Sequence, residues 1–153
     1  KTVEIKEIEV AQKGEKTEFV LSYNFDTDVQ FRSDMAYLRE FLEDFTGKTV
    51  RTTSSEIAEG DTKKEILIGD DKRDEVRAVR KKLKVGEFGI EAFADGEKYT
   101  VAIAYRGEKA RMCAIQYLIN KCYDEEKQAI SLLTGNTIIG AGTADNLFCE
   151  WRC

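Results

Sequence analysis

The stretch that most constrains the fold is residues 87–123, where a strand–turn–strand pattern runs directly into an apolar helical pattern. Apolar side chains alternate along residues 87–93 and 98–105, on either side of Asp95-Gly96. Asp-Gly between two such runs is typical of a type I′ turn, in which both central residues need a positive φ. After Gly107, apolar residues recur every three or four positions, which predicts a buried helix. A β-hairpin followed by a helix is therefore the predicted centre of the fold.

The remaining segments predict an α+β fold in which a mixed β-sheet is flanked by about three helices. Ser33 is the expected N-cap of the first helix, and Gly47 is expected to end it in a left-handed conformation. The continuous apolar run at residues 65–69 predicts a central strand covered on both faces. The predicted helices span residues 33–46, 73–83 and the segment after Gly107. The predicted strands are residues 1–12 with a bulge or bend, 18–25, 49–53 at a sheet edge, 65–69, the two hairpin runs and two short runs in the tail. Residues 54–64 are a predicted surface loop.

The size and charge of the chain limit the number of domains and the classes of protein to which it can belong. Its 153 residues, 42% of them hydrophobic, are expected to form a single domain over residues 1–153. A net charge of −5 lacks the basic character of a nucleic-acid binder. No apolar run approaches the roughly 20 residues that a membrane span needs. The chain begins at Lys1 rather than Met, so we expect a processed form or a segment whose targeting sequence lies elsewhere.

The sequence contains no histidine, and this removes the commonest catalytic and metal-binding arrangements. Nucleophiles paired with histidine and histidine-containing metal sites are excluded within the chain. No catalytic signature is present. We therefore expect no enzymatic activity, no cofactor and no metal site.

Four cysteines raise the possibility of a disulfide bond. Cys113 and Cys122 are nine positions apart on one predicted helix, about 13 Å along its axis, which is too far for a bond between them. Cys149 and Cys153 would be about 13 Å apart on a strand. Any disulfide is therefore expected to join the helix to the tail, with its pairing open. Free, partly buried thiols are the alternative, and a four-cysteine zinc site is a further one.

Two groups of residues are candidate ligand contacts. Asp70 and Asp71 follow the predicted central strand, and ligands of open α/β sheets gather at the carboxyl ends of strands. With the basic surface of the following helix they could bind a small ligand or an anion, or the carboxylates could simply cap that helix. Tyr99, Tyr105 and Trp151 could stack against a sugar, although aromatic side chains on strands more often pack within a fold.

The order of elements over residues 19–123 resembles a known family. The helix ending at Gly47, the strand at residues 64–69, the Asp95-Gly96 hairpin and the helix with Ala114, Tyr117 and Leu118 are similar to the small α/β domain that precedes the catalytic barrel in family 20 β-hexosaminidases and α-glucuronidases. In these families the barrel carries the catalytic carboxylates, so no catalytic residue transfers to this chain. Residues 124–153 depart from the family as a C-terminal extension.

The resemblance implies a non-catalytic accessory or interaction module of a secreted or cell-surface bacterial protein associated with glycan processing. Its expected partners are a neighbouring domain of a larger protein or a glycan. The alternative hypothesis is a small-ligand or anion-binding α/β domain that uses Asp70 and Asp71. A glycan enzyme based on carboxylates is a third hypothesis.

Overall fold

The computed structural model describes residues 4–142 and the backbone of residues 149–152. Within that part of the chain the protein is one α+β domain, as the sequence predicted. Its elements are the helices α1 (Val29–Thr46), α2 (Ser55–Asp61), α3 (Asp74–Arg80) and α4 (Glu108–Asn120), and the strands β1 (Glu7–Gln12), β2 (Val20–Tyr23), β3 (Thr52–Ser54), β4 (Lys64–Ile68), β5 (Glu87–Asp95), β6 (Lys98–Tyr105), β7 (Tyr123–Asp124), β8 (Ala129–Leu133), β9 (Ile138–Gly142) and β10 (Cys149–Arg152).

The main sheet is mixed, with seven strands in the order β10-β9-β5-β6-β4-β2-β3. Strands β6, β4, β2 and β3 run parallel to one another, whereas β5, β9 and β10 pair antiparallel. A smaller antiparallel sheet has the order β1-β8-β7, and β1 carries a register shift between Glu9 and Ala11. This shift is the bulge expected in the first strand, placed nearer its end.

The predicted central strand is confirmed. Strand β4 lies between β6 and β2, and Ile66, Leu67 and Ile68 are each at most 1% exposed. Ile66 and Ile68 face the large core formed with α1, α4 and the small sheet, whereas Leu67 faces a second core beneath α3. Ala102 and Ala104 of β6 pack in that second core, where their small side chains let α3 approach the sheet closely.

The hairpin is confirmed, but its turn differs from the prediction. Asp95 pairs with Lys98, so the two central residues are Gly96 and Glu97 rather than Asp95 and Gly96. Gly96 has a φ of 63°, and Glu97 has no positive φ. A glycine at the first central position is the preference of type II′ turns, which require a positive φ only there.

One helix prediction was wrong at its amino end, and one predicted loop contains a short helix. Helix α1 begins one turn before the predicted Ser33, because the side chain of Asp28 accepts a hydrogen bond of 2.8 Å from the amide of Phe31 and caps the helix. Residues 54–64 are not all loop: Ser54 caps the short helix α2, which buries Ala58 against the sheet. Gly47 ends α1 with a φ of 72°, as predicted.

No helix in the described part of the chain is long and apolar enough to cross a bilayer.

Candidate functional site

The parallel strands of the main sheet bring several loops together at one edge. Strands β2, β3, β4 and β6 end on the same side because they run parallel. The loop after β4 contains Gly69, Asp70 and Asp71, and the loop after β6 contains Arg106 and Gly107. The carboxyl edge of parallel strands is the usual place for ligands in open sheets. This edge is therefore the first place to look for a site.

Three adjoining depressions meet at Asp71 along this edge, and we call them together the carboxyl-edge cleft. The largest, of about 730 Å³, runs along α3 and is the α3 groove. The second, of about 430 Å³, lies against the loop after β2. The third, of about 310 Å³, is the α4 hollow, lined by Asp28, Gly69, Asp71, Val76, Arg80, Ala104, Tyr105, Arg106, Gly107, Glu108 and Arg111. Asp71, Arg80 and Arg106 line both the α3 groove and the α4 hollow.

Gly69 brings Tyr105 close to the loop that carries Asp71. Its φ is 71°, a conformation that side chains with a Cβ rarely adopt. A Cβ at this position would also overlap the Tyr105 hydroxyl and lie 2.9 Å from its Cζ atom. The glycine therefore allows the backbone turn and also leaves space for the tyrosine side chain.

Arg111 is a buried cation beneath the α4 hollow. It is 4% exposed and is held between the rings of Phe31 and Tyr105, with its Cζ atom 4.9 and 5.4 Å from their centroids. Its Nε atom donates to Asp34 Oδ2 over 2.7 Å. Its Nη2 atom is buried and has no hydrogen-bond partner among the described residues. An unsatisfied buried donor carries a free-energy cost, so the Arg111 guanidinium, which lines the α4 hollow, is a candidate ligand contact.

The pKa values of Arg111 and Tyr105 reflect this pairing. Burial alone lowers the pKa of Arg111, but hydrogen bonds to Asp34 and Tyr105 outweigh it and raise the pKa. Burial raises the pKa of Tyr105, against the opposing effect of Arg111. At neutral pH the site therefore contains a charged guanidinium beside a neutral phenol.

A second buried cation fixes the loop that carries Asp71. Arg73 is 1% exposed and binds both carboxylate oxygens of Glu65, with nitrogen–oxygen distances of 2.6 and 3.2 Å. It also donates to the carbonyl of Ser55 over 2.8 Å, and Ser22 donates to Glu65 over 2.7 Å. Burial alone lowers the pKa of Arg73, and the bond to Glu65 outweighs it. This network ties the loop after β4 to α2 and to the sheet.

The predicted ligand residues separate into two places. Asp71 and Tyr105 meet in the carboxyl-edge cleft, as do Asp70 and Tyr105. Asp70, however, accepts hydrogen bonds from the Ser55 hydroxyl and the Lys72 amide, so it holds the loop. These bonds give Asp70 a structural role as well as a place at the rim.

Tyr99 lies at the opposite end of β6, so it forms no common platform with Tyr105. The two residues are six positions apart on one strand, about 20 Å. Tyr99 lines a separate groove of about 680 Å³ at the amino edge, with Lys64 Nζ 5.8 Å from its ring centroid. The side chain of Trp151 lies outside the described part of the structure.

The structure describes the side chains of two of the four cysteines, Cys113 and Cys122. Cys113 is disulfide-bonded, whereas Cys122 is a free thiol, so the two do not bond to each other. Burial raises the pKa of Cys122 to about 12. The side chains of Cys149 and Cys153 lie outside the described residues, so the pairing stays a prediction.

Sequence reasoning missed Arg111, Asp34, Arg73 and Glu65. A signal existed for Arg111: it stands four positions before Ile115 and seven before Leu118, inside the apolar face of α4. A charged residue at such a position needs a buried partner. Its partner on α1 is distant in the sequence and could not be chosen among 29 acidic residues.

The described residues contain no group of three or more Cys, Asp or Glu side chains that could hold a metal ion. No protein-family model matches the chain, and no curated protein matches it with significant similarity.

Proposed function

We propose that this protein is a non-catalytic binding module that holds a small polar ligand, such as a sugar unit of a glycan, in the carboxyl-edge cleft. The observation that carries the proposal is the meeting of three depressions at Asp71, where four parallel strands end. The loops on this rim are set by Gly69 and by the Arg73–Glu65 pair. A rim fixed in this way loses little conformational entropy on binding a ligand.

The side chains on the rim suit a hydroxyl-rich ligand. Asp71 has a carboxylate that accepts hydrogen bonds from hydroxyl groups, and the guanidinium groups of Arg80 and Arg106 donate them in a fixed planar geometry. Tyr105 adds a partly exposed aromatic ring. Carboxylate, guanidinium and aromatic groups together can bind both the hydroxyls and the apolar face of a sugar ring.

The same contacts support a binding role without chemistry. Asp70, Asp34 and Glu65 are each held in hydrogen bonds with neighbouring side chains. Tyr105, with its raised pKa, is a neutral donor at physiological pH and not a base. The charged groups nearest the cleft floor thus stabilise the fold.

The wider setting that we propose follows from the resemblance. A mixed sheet flanked by helices is the architecture that the resemblance implies, and it supports an accessory role in a secreted or cell-surface bacterial protein associated with glycan processing. In that setting the module would pack against a neighbouring domain and present the cleft to a glycan. We expect the isolated chain to hydrolyse no chromogenic glycoside.

Amide chemical shifts in NMR, followed during titration with a panel of mono- and disaccharides, test the binding role. We expect at least one sugar to shift the amides of Gly69, Asp71 and Gly107. Asp71→Asn should weaken that binding about tenfold, because one charged hydrogen-bond acceptor is lost.

Asp44→Asn is the matched control, because Asp44 is an exposed aspartate about 24 Å along α1 from Asp28. It should leave the affinity unchanged. Shifts confined to the groove around Tyr99, or equal effects of the two variants, would contradict the proposed cleft.

A further inference from the structure

We propose that the α4 hollow is a subsite for an oxyanion, a phosphate or a carboxylate, on a ligand that also carries hydroxyl groups. The inference rests on the proposed function, because it assigns a chemical class to the ligand of the same cleft. It extends the binding role from neutral sugars to hydroxylated acids and phosphate esters. Three features of the hollow lead to it.

The first feature is the unsatisfied donor of Arg111. This side chain lines the hollow, is 4% exposed, and leaves its Nη2 atom without a hydrogen-bond partner among the described residues. Its Nε atom is already bound to Asp34, and its ring contacts with Phe31 and Tyr105 fix its plane. Donors on a guanidinium that is fixed in place suit the oxygens of a phosphate or carboxylate.

The second feature is the amino terminus of α4. This helix has 13 residues and begins at Glu108, directly after Gly107. Gly107 gives the helix no side-chain cap, and a Cβ placed on it would meet nothing within 4 Å. The positive end of the helix dipole therefore lies at the wall of the hollow, which Gly107 and Glu108 line, as in anion sites at helix amino termini.

The third feature is Arg80, which reaches the hollow from α3. Its side chain is exposed and makes no ion pair or hydrogen bond with another residue in the described part of the chain. By contrast, Arg106 on the same wall donates to the carbonyl of Leu83 over 3.1 Å. Arg80 is thus a cation whose charge is still available for a ligand.

The rim also carries carboxylates, and these define the rest of the ligand. Asp28, Asp71 and Glu108 line the hollow together with the three arginines. A bare anion would meet these three negative charges as well as the donors. A ligand with hydroxyl groups next to its oxyanion would satisfy both sets, because hydroxyls donate to carboxylates. We therefore expect a phosphorylated polyol to bind better than inorganic phosphate.

Isothermal titration calorimetry with four probes tests this expected order of affinities. The probes are glycerol, inorganic phosphate, glycerol 3-phosphate and glycerate, of which the last two distinguish a phosphate from a carboxylate. Glycerol 3-phosphate or glycerate should bind at least tenfold more tightly than glycerol and more tightly than phosphate. The affinity should fall as salt is added, because the contact is partly exposed.

Arg80→Ala should weaken binding of the better anionic probe about tenfold, which is a larger factor than the loss expected for glycerol. Arg39→Ala is the matched control, because Arg39 is an exposed arginine of α1 that lines none of the three depressions. It should change the affinity less than twofold. Arg111→Lys, which keeps a charge beside Asp34 but loses the planar donors, should weaken binding of the anionic probe, and its circular dichroism spectrum checks that the fold is kept.

The subsite fails if glycerol binds as tightly as its phosphate ester, or if Arg80→Ala and Arg39→Ala have equal effects. In that case sugars that still shift the amides around Asp71 would leave the proposed function standing. If neither sugars nor anions perturb the cleft, both proposals fail.

Discussion

Gly69 is the residue on which the rim of the cleft depends, because it combines a positive φ with a contact to Tyr105. Gly69→Ala should lower the free energy of unfolding by about 1–2 kcal/mol for the left-handed backbone and by a further ~1–3 kcal/mol for the overlap with the tyrosine. Gly47→Ala is the matched control, since Gly47 has a φ of 72° and a Cβ at that position would meet nothing within 4 Å.

Urea denaturation of the two glycine variants measures this difference. The control should lose only about 1–2 kcal/mol. Adding Tyr105→Phe should recover part of the loss in Gly69→Ala, because it removes the hydroxyl that a Cβ would overlap. Equal losses at the two glycines would show that the tyrosine contact contributes nothing.

Cys122 should be an unreactive thiol in the native protein. Its pKa is raised from the ordinary value of 9.0 to about 12 by burial. The thiolate fraction at pH 8 should therefore be about 1,000 times lower than for an ordinary cysteine, and alkylation by iodoacetamide correspondingly slow. Because the folded state holds this proton more tightly, its contribution to stability is present below pH 9 and is lost as the pH rises toward 12.

Mass spectrometry of timed alkylation, native and in urea, checks this prediction residue by residue. Cys122→Ser should remove the part of the alkaline loss of stability that the thiol causes. Rapid native labelling of Cys122 at pH 8 would contradict the raised pKa of the thiol.

For single residues, the sequence predicted where Asp71 and Tyr105 lie in the fold better than it predicted which side chains surround them. The apolar run before Gly69 and the alternation along β6 place both residues at strand ends. Arg111 could not be assigned a role in the same way, because the position of its side chain depends on contacts with Phe31 and Asp34, which belong to another helix. Contacts between distant elements are not expressed in local periodicity.

Among the secondary-structure elements, α2 and the loop after β4 are joined by the Arg73–Glu65 pair. Glu65→Gln should lower the free energy of unfolding by about 3–5 kcal/mol, because it removes the close carboxylate of the buried Arg73 and leaves only the longer contacts of 3.7 Å to Glu59 and 3.6 Å to Glu75. The double variant Glu65→Met with Arg73→Met should recover most of that loss, since an apolar pair of similar volume needs no desolvation of charge.

Lys63→Ala is the control for this pair, because its partner Glu97 is 87% exposed and the contact is 3.4 Å long. It should change stability by at most about 1 kcal/mol. Chemical denaturation of all three variants gives the comparison. A Glu65→Gln protein as stable as the Lys63→Ala protein would show that the buried pair is unimportant.

Element types with strong periodicity were predicted well, and short polar elements were not. Helix α4 and the hairpin follow from apolar spacing alone. Helix α2 falls within a predicted loop because only Ala58 and Ser55 of its seven residues are buried, which leaves almost no apolar signal. The predicted hairpin turn is one residue early. Gly96 can be the second central residue of a turn at Asp95-Gly96 or the first of a turn at Gly96-Glu97, and the local sequence does not choose between these two registers.

For the whole molecule, the topology combines distant segments. Strand β1 pairs with β8, and the parallel strands β2, β4 and β6 are joined by long crossovers. Such non-local pairing predicts refolding in milliseconds to seconds, rather than the microseconds typical of helical bundles. Stopped-flow dilution from urea, followed by far-ultraviolet circular dichroism, measures the rate, and a microsecond phase that recovers all of the signal would contradict the topology.

The α+β class and the mixed sheet were predictable because each strand type leaves its own pattern: a continuous apolar run for β4 and alternation for β6. The order of the strands was not predictable, because β9 pairs with β5 through contacts that no local pattern encodes.

The tight turn at Gly96 and Glu97 and the cleft lie at opposite ends of β6. Eight residues of strand separate them, about 26 Å. Both turn residues are exposed, and exposed loop tips tolerate insertions better than other positions. A short biotinylated peptide inserted between Gly96 and Glu97 would thus tether the protein to a sensor chip with its cleft facing the flowing sample.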